Sequence, residues 1–416
     1  MSQPVRLLPS ALLALGIAAF TGFSPMPLPT PPAASFGADL AFLKQHTSVI
    51  TLSDPSGQAQ VVVAPAWQGR VMTSTADGDD GTSFGWINRE LIASGKRQPH
   101  MNAFGGEDRL WLGPEGGQFS IFFAKGVPFD LEHWFTPLPL DTDAYQVVSQ
   151  SRDSAQFRHA FQLTNYSGTV FSVQADRAVR LLAPAAAWKR LRLDPLPGVT
   201  MVAYESANRI TNAGQKAWVQ DTGLLSIWIL CMFTPSPATT IVVPFRVGPE
   251  SELGRPVNSA YFGVVPPERL VVKERAAFFS GDGQYRSKIG VGPKRARPIL
   301  GSYDSTGNVL TLAQFTLPPG PAPYVNSMWE IQEDPFAGDV VNSYNDGPPS
   351  PGAKPLGPFY EIESSSPAAA LAPDESLEHV HRTLHLTGPQ DALDAVARAT
   401  LGVSVSDITN ALPTMK

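Results

Sequence analysis

The chain has 416 residues, of which 43% are hydrophobic and 16% are charged, and its formal net charge is -6. This composition supports a sizeable core and argues against global disorder, and the lack of a lysine- or arginine-rich run argues against nucleic acid as a partner. The 35 glycines and 40 prolines indicate many turns, which is typical of chains built from strands.

The first 35 residues have the pattern of a signal peptide followed by a proline-rich spacer. Arg6 precedes the apolar run Leu7–Phe20, and the segment Pro25–Ser35 follows it. The run is too short to span a bilayer. We therefore expect a periplasmic or secreted protein without stable membrane insertion after signal removal, and a disordered cytoplasmic tail is the alternative.

Strand patterns dominate the rest of the chain. Residues 157–164 and 169–175 alternate between polar and apolar side chains on either side of Asn165–Gly168, which predicts a hairpin. The runs Leu224–Phe233 and Thr239–Phe245 are almost continuously apolar, as expected of strands that are covered on both faces.

Helical patterns are few. Residues 36–46 fit a short helix, and one convincing amphipathic helix is predicted near residues 391–402. No βαβ alternation and no fixed repeat is present, so the sequence predicts an all-β fold with large antiparallel sheets. We expect residues 36–416 to form a single domain.

Residues 100–118 combine five glycines with charged side chains. Glycine lets the backbone approach a ligand closely, and carboxylates beside an arginine suit sugar binding or acid–base chemistry. A turn-rich loop with a structural ion pair is the alternative. The candidates in this segment are His100, Glu107 and Arg109.

Residues 324–347 place aromatic side chains among amides and carboxylates. Such a mixture suits a sugar, whose apolar ring face stacks while its hydroxyls form hydrogen bonds. A long loop with polar turns is the alternative. The candidate binding residues are Asn326, Trp329, Glu330, Asn342, Asn345 and Asp346.

Two further segments place polar side chains on one face of a predicted strand. Glu361 and Glu363 share a face, which is unfavourable unless a ligand, proton, cation or solvent separates the charges. His379, His381 and His385 also share a face. They could bind one divalent metal ion or act through hydrogen bonds without metal, and the spacing leaves both open.

The motifs GGEDRLWLGPEGGQFSIFF, GDVVNSYNDGP and LGPFYEIESSSPA resemble a family of secreted bacterial proteins that carry a domain of unknown function. The opening segment VVVAPAWQGRVMTS and the closing segment that begins FYEIESSSP are more distantly similar to aldose 1-epimerases. This resemblance implies a galactose-mutarotase-like supersandwich of large antiparallel sheets with few short helices.

The resemblance also implies a function and roles for residues. Glu361 or Glu363 would occupy the position of the catalytic base, with Glu363 the better match. The run TGLLSIWILCMF lacks the histidine acid of the epimerases, so His379 or His381 would have to supply it. With Glu107 as a further catalytic candidate, we predict an exported carbohydrate-active enzyme, either an epimerase, a lyase or a hydrolase. The alternative is a non-catalytic glycan-binding protein.

Overall fold

The computed structural model describes residues 35–350 and 352–413. Of the predicted signal peptide and spacer, residues 1–35, only Ser35 lies inside these ranges. The strands within them are β1 (Ile50–Ser53), β2 (Gln60–Ala64), β3 (Arg70–Thr75), β4 (Arg109–Gly113), β5 (Gln146–Gln150), β6 (Ser154–Thr164), β7 (Val170–Leu181), β8 (Thr200–Asn212), β9 (Ser226–Phe233), β10 (Thr239–Pro244), β11 (Leu270–Val272), β12 (Ala276–Ser280), β13 (Ser287–Val291), β14 (Ile299–Asp304), β15 (Val309–Phe315), β16 (Val341–Asn345), β17 (Tyr360–Ser365) and β18 (Ser376–Thr387). The α-helices are α1 (Phe36–His46), α2 (Arg89–Ser94), α3 (Leu138–Asp141), α4 (Pro184–Leu191), α5 (Glu250–Leu253), α6 (Gln390–Thr400) and α7 (Val405–Thr409).

The strands form three antiparallel sheets. The largest has ten strands in the order β11-β12-β10-β14-β15-β18-β8-β7-β6-β5, and the second has five in the order β13-β16-β17-β9-β4. Strands β1, β2 and β3 form the third sheet. The predicted all-β fold with large antiparallel sheets and few short helices is therefore confirmed.

Strands β6 and β7 form the hairpin that the alternating sequence predicts, and they pair over every residue of β6. In the turn, the Asn165 side chain accepts a hydrogen bond from the backbone N–H of Thr169 at 2.8 Å. Gly168 adopts a φ of +94° in the same turn. This left-handed conformation favours glycine because glycine has no Cβ.

The five-stranded sheet packs one face against the ten-stranded sheet. Strand β9 contacts β8 and β18, and Ser364 on β17 forms a hydrogen bond with His379 on β18. Every residue of β9 and β10 is buried, as their apolar runs predict. The ten-stranded sheet leaves the opposite face of the five-stranded sheet uncovered, and the described residues 35–350 and 352–413 belong to one compact unit.

Helices α4, α6 and α7 pack on the outer face of the ten-stranded sheet. Helix α6 matches the predicted helix near 391–402, and it buries Leu393, Val396 and Ala397 as the i, i+3, i+4 spacing requires. Helix α4 was not predicted, because eight residues show too little periodicity and its stability depends on packing of Trp188 and Leu191. No helix in the described ranges is both long and apolar enough to cross a membrane.

Candidate active site

A cleft of about 670 Å³ opens over the face of the five-stranded sheet that points away from the ten-stranded sheet. This volume lies within the range of roughly 300–1,000 Å³ that is usual for small-molecule sites. All five strands of the sheet contribute lining side chains, which are Arg109 and Trp111 on β4, Trp228, Leu230 and Met232 on β9, Lys288 on β13, Tyr344 on β16 and Glu361 on β17.

The period-two alternation of β17 sorts its side chains between the cleft and the interior. Glu361 and Glu363 lie on the cleft side of the strand, as their spacing predicts. Ser364 points the other way, where its hydroxyl bonds to histidines of the ten-stranded sheet. One polar cluster, with the glutamates, therefore lies on the cleft side of the sheet, and a second one, with the histidines, lies on the side that faces the ten-stranded sheet.

Glu361 and Arg109 form an ion pair at the floor of the cleft. Their side chains are 7% and 2% exposed, respectively, so the pair is almost completely removed from water. Burial raises the pKa of Glu361 to about 7, although the positive charge of Arg109 acts in the opposite direction. A carboxyl group with such a pKa can accept and release a proton near neutral pH.

Glu363 lies beneath the cleft and is not one of its lining residues. Its Oε2 accepts hydrogen bonds from Trp228 Nε1 at 2.8 Å and from Lys288 Nζ at 3.1 Å. Burial by itself lowers the pKa of Lys288, but the carboxylates of Glu363, Glu115 and Glu361 outweigh that effect and raise it. Lys288 is therefore charged, and Glu363 holds it in place rather than facing a ligand.

Aromatic side chains form one wall of the cleft. Trp134 and Trp329 stack with ring centroids 6.0 Å apart, and Trp111 meets Trp228 edge-on at 5.6 Å. The Nε1 of Trp134 is buried and has no hydrogen-bond partner among the described residues. An indole N–H without a partner at the wall of a cleft can donate to an acceptor on a ligand.

His100 is the histidine that lines the cleft. Its Nδ1 lies 2.7 Å from the backbone oxygen of Trp134, and its ring stacks on Phe135 with the centroids 4.4 Å apart. The hydrogen bond to a carbonyl oxygen requires a proton on Nδ1, which leaves Nε2 as the nitrogen free to interact with a ligand.

Asp346 lines the cleft beside Tyr344. Its two carboxylate oxygens accept hydrogen bonds from the Tyr344 hydroxyl at 2.8 Å and from the backbone N–H of Gly357 at 2.9 Å. Burial raises the pKa of Asp346 to about 6, and those hydrogen bonds act against the shift. This carboxyl group ties the ends of β16 and the loop before β17 together.

Glu107 lies outside the cleft, in the sealed layer between the sheets, where its exposure is 0%. Its oxygens accept hydrogen bonds from the backbone N–H of Ser74 and from the Tyr204 hydroxyl, and His385 Nε2 lies 3.1 Å from Oε2. These partners satisfy the carboxylate within the protein. The structure therefore does not bring Glu107 together with Glu361, and its contacts are those of a core residue.

His379 and His381 also face the sealed layer and share one hydroxyl partner, Ser364 Oγ, at 2.8 Å and 2.9 Å. Burial lowers the pKa of His379 to about 3 and that of His381 to about 4, so both rings are neutral. His381 Nε2 lies 3.4 Å from the Cys231 sulfur. The two rings are separated from the cleft by the five-stranded sheet, so His381 is not placed to exchange a proton with Glu361.

The three histidines of β18 share a face as their spacing predicts, but each one is engaged by protein groups, since His385 Nδ1 lies 2.8 Å from Thr311 Oγ1. Across residues 35–350 and 352–413, no group of three or more histidine, cysteine, aspartate or glutamate side chains is arranged to hold a metal ion. The predicted divalent metal site at His379, His381 and His385 therefore finds no support in this geometry.

Four of the predicted binding residues do not line the cleft, namely Asn326, Glu330, Asn342 and Asn345. Asn326 and Asn345 accept backbone hydrogen bonds in turns, from Met328 and Gly283 respectively. Asn342 donates to the Tyr261 hydroxyl and to a backbone oxygen. Glu330 is exposed. These polar side chains shape loops instead of facing the cleft.

Several residues that line the cleft are not among the candidates that the sequence indicates. Trp111 shares a strand face with Arg109, so the alternation in RLWLG was the signal for it. Trp228 was hidden in an apolar run in which every residue is buried. Trp134 and Glu115 lie in loops, and no periodic pattern indicates where a loop side chain will point.

Comparison with known proteins agrees with this architecture. The sequence matches a family described as of unknown function, DUF6786, over residues 34–412. No curated protein matches the chain. The chain is similar to a structure from Escherichia coli K12 described as a candidate aldose 1-epimerase, at 15% identity and a TM-score of 0.46, covering 82% of this chain and 99% of that one.

A galactose mutarotase-like protein from Lactobacillus casei ATCC 334 is similar at 10% identity and a TM-score of 0.43, covering 82% of this chain and all of the other. A galactose mutarotase related enzyme from Lactobacillus acidophilus is similar at 9% identity and a TM-score of 0.41, with coverage of 82% and 97%. These neighbours are of the galactose-mutarotase-like type that the sequence predicts.

The stacked antiparallel sheets and the cleft over one sheet face define an antiparallel β protein with a candidate ligand site. Within that class, the chain belongs to the family of unknown function DUF6786, which accounts for nearly all of the described residues.

Proposed function

We propose that the protein is a carbohydrate-active enzyme that binds a sugar in the cleft and uses Glu361 to accept a proton from it. The observation that carries this proposal is the Glu361–Arg109 pair at the cleft floor, with the pKa of Glu361 raised to about 7 by burial. A carboxyl group with this pKa is partly deprotonated at neutral pH, so Glu361 can accept a proton although it is paired with Arg109.

The cleft walls support a sugar as the ligand. Trp329 is half-buried at the wall, and Trp134 offers an unpartnered N–H beside it. An aromatic ring can pack against the apolar face of a sugar ring, while Arg109 and Lys288 can donate hydrogen bonds to hydroxyls.

The proposed roles of four residues differ from those that the sequence favours. Glu361 replaces Glu363 as the base, because Glu363 lies beneath the floor and is bonded to Lys288 and Trp228. His100 replaces His381 as the candidate acid, because His100 lines the cleft and would donate a proton from Nε2 when both ring nitrogens are protonated. A base and an acid in one cleft serve an epimerase, a lyase or a hydrolase equally.

Non-catalytic glycan binding is the second candidate, and the ion pair itself favours it. Arg109 already satisfies Glu361, and a carboxylate held in a salt bridge can serve as a hydrogen-bond acceptor for a hydroxyl without taking up its proton. Both candidate functions place a sugar in the same cleft, but only the enzyme would convert it to a product.

One experiment separates them. The purified protein is incubated with monosaccharides and oligosaccharides, and anomeric composition, epimers, unsaturated products and new reducing ends are followed by proton NMR and ultraviolet absorbance. Turnover that is lost in Glu361→Gln and retained in Glu274→Gln, a control at an exposed glutamate, supports the enzyme. A ligand-induced rise in unfolding temperature without any product supports binding alone, and neither signal contradicts both candidates.

Export is part of the proposal. The apolar run Leu7–Phe20 after Arg6 and the spacer Pro25–Ser35 motivate it. Expression of the full chain in a Gram-negative host, followed by fractionation and N-terminal sequencing, tests it. A mature protein in the periplasm or medium that has lost most of residues 1–35 is expected, and a cytoplasmic protein that keeps Met1 would argue against export.

A further inference from the structure

Arg286 lines the cleft just before β13, next to Lys288. Its guanidinium carbon lies 3.8 Å from the centroid of the Phe262 ring, so one flat side of the group is covered by an aromatic face. The N–H groups project from the edge of the guanidinium plane, and stacking leaves that edge available to a ligand.

Arg286 differs in its partners from the two other deep cations of the cleft. Arg109 is paired with Glu361, and Lys288 is paired with Glu363. Arg286 forms no salt bridge with any residue in the described ranges, although it is half-buried. Among the cations that line the cleft, Arg286 is therefore the most buried one that has no salt-bridge partner in the described ranges.

The charge of Arg286 acts on two nearby carboxyl groups, but neither of them forms a salt bridge with it. Asp346 is held by Tyr344 and by the backbone of Gly357. Glu115 experiences the charges of both Lys288 and Arg286 but forms a salt bridge with neither. Neither carboxylate therefore occupies the donor edge of Arg286.

A second cation lines the cleft from the loop that precedes β17. Gly347 packs so closely against Arg286 that a Cβ on the glycine would lie 2.5 Å from the Arg286 backbone nitrogen. The Asp346–Gly357 hydrogen bond joins this segment to the loop that carries Lys354. Lys354 lines the cleft, is exposed and forms no salt bridge with a described residue.

Resting on the proposed sugar site, we propose that the sugar carries an anionic group and that Arg286, with Lys354 beside it, binds this group. The group is a carboxylate, as in a uronic acid, or a sulfate or phosphate ester. An arginine fork can bind either kind of oxyanion with two parallel hydrogen bonds, which are stronger than those to neutral hydroxyls.

The same arrangement disfavours a neutral sugar at this position. A bound sugar would displace water from Arg286, and a half-buried guanidinium that exchanges water for weaker hydrogen bonds loses part of its solvation. Selectivity therefore comes both from the attraction of an anion and from the cost of covering the charge with a neutral group.

The test compares three sets of oligosaccharides of equal length by isothermal titration calorimetry at low ionic strength. The sets are neutral galactan oligosaccharides, galacturonate oligosaccharides and sulfated galactan oligosaccharides. We expect at least one anionic set to bind roughly 10- to 100-fold more tightly than the neutral set, as a charged hydrogen-bonded pair implies. Added salt should weaken that preference.

The variant Arg286→Gln should remove most of this preference while it leaves the affinity for neutral oligosaccharides within about twofold. Arg286→Lys should keep part of the preference because it keeps the charge without the planar fork. Arg190→Gln, which removes one positive charge from the exposed surface of α4, is the matched control and should change nothing.

The outcomes distinguish this inference from the proposal on which it rests. Equal binding of neutral and anionic sets by the wild type, or an Arg286→Gln variant that keeps the wild-type preference for the anionic set, would overturn the inference and leave the sugar site standing. If Arg286→Gln fails to fold, Lys354→Gln and the salt dependence of the wild type decide the question. If no oligosaccharide binds the folded wild type, the sugar site and the inference fail together.

Discussion

The two faces of the five-stranded sheet carry similar side chains in opposite surroundings. On one face, Glu361 and Arg109 meet at the floor of a cleft. On the other, Glu107 and His385 meet between the sheets, with exposures of 0% and 1%. Glutamates with charged or imidazole partners therefore occur on both sides of the sheet, and contact with the cleft rather than residue type decides which one can meet a ligand.

The sealed layer between the sheets also contains an ion pair that is more completely buried than those on the cleft side. Arg177 and Asp108 form an ion pair at 2.7 Å with both side chains completely buried. Arg177 also donates to the backbone oxygen of Gly69 at 3.0 Å and to Asn208 at 2.5 Å. So many internal partners leave nothing for a ligand, and we interpret this cluster as structural.

The largest expected effect is the loss of turnover in Glu361→Gln. Removal of a general base typically lowers the rate roughly 10²- to 10⁴-fold. Stability should fall less than in Arg177→Met, because the side-chain oxygen of glutamine can still accept the hydrogen bond that Arg109 now donates to Glu361. Initial rates and urea unfolding measure the two quantities, and a stable variant with full activity would exclude Glu361 as the base.

The next effect belongs to the sealed face. Arg177→Met leaves Asp108 buried without its partner, and we expect the free energy of unfolding to fall by about 3–5 kcal/mol. Residual folded protein should still bind sugar, since Arg177 does not touch the cleft. Chemical denaturation with a binding assay on the native fraction checks this, and Arg158→Met, at an exposed pair with Asp176, is the control. Equal stability of the two variants would contradict the interpretation.

A smaller effect is expected from Glu107→Gln. The amide nitrogen would face groups that now donate to the carboxylate, so about 1–3 kcal/mol of stability should be lost. The rate at a temperature where the variant is folded should stay close to that of the wild type. A selective loss of turnover without a loss of stability would instead bring Glu107 back as a catalytic residue.

The smallest effect is the change in rate with pH. Glu361 must be deprotonated to accept a proton, so kcat/KM should rise about tenfold per pH unit below pH 7 and level off above it. Arg109→Gln removes the charge that lowers the pKa of Glu361, and the acid limb should then move to higher pH. If the pH dependence of kcat/KM is unchanged in Arg109→Gln, a group other than Glu361 causes the fall in rate at low pH.

Sequence patterns predicted which side chains share a strand face but not which face meets solvent. Period two correctly grouped Glu361 with Glu363, and His379 with His381 and His385. The register between sheets then placed the two groups on opposite sides of one sheet, and no local pattern contains that information. The expectation that Glu363 and His381 would meet in one pocket was wrong for this reason.

The sequence also does not predict which loop residues reach the cleft. Trp329 was correctly placed at the cleft by its aromatic and polar surroundings. Trp134 and Arg286 reach the cleft through loop conformations that depend on packing, such as the contact of Gly347 with Arg286. The strand alternation that identified Glu361 does not extend to such segments.

A crystal structure of the protein soaked with an oligosaccharide from the best-binding set would test the central claim most directly. We predict density for a sugar ring within hydrogen-bonding distance of Glu361 and Arg109, between Trp329 and Phe262. A sugar bound elsewhere on the molecule at full occupancy, with the cleft empty, would contradict the account.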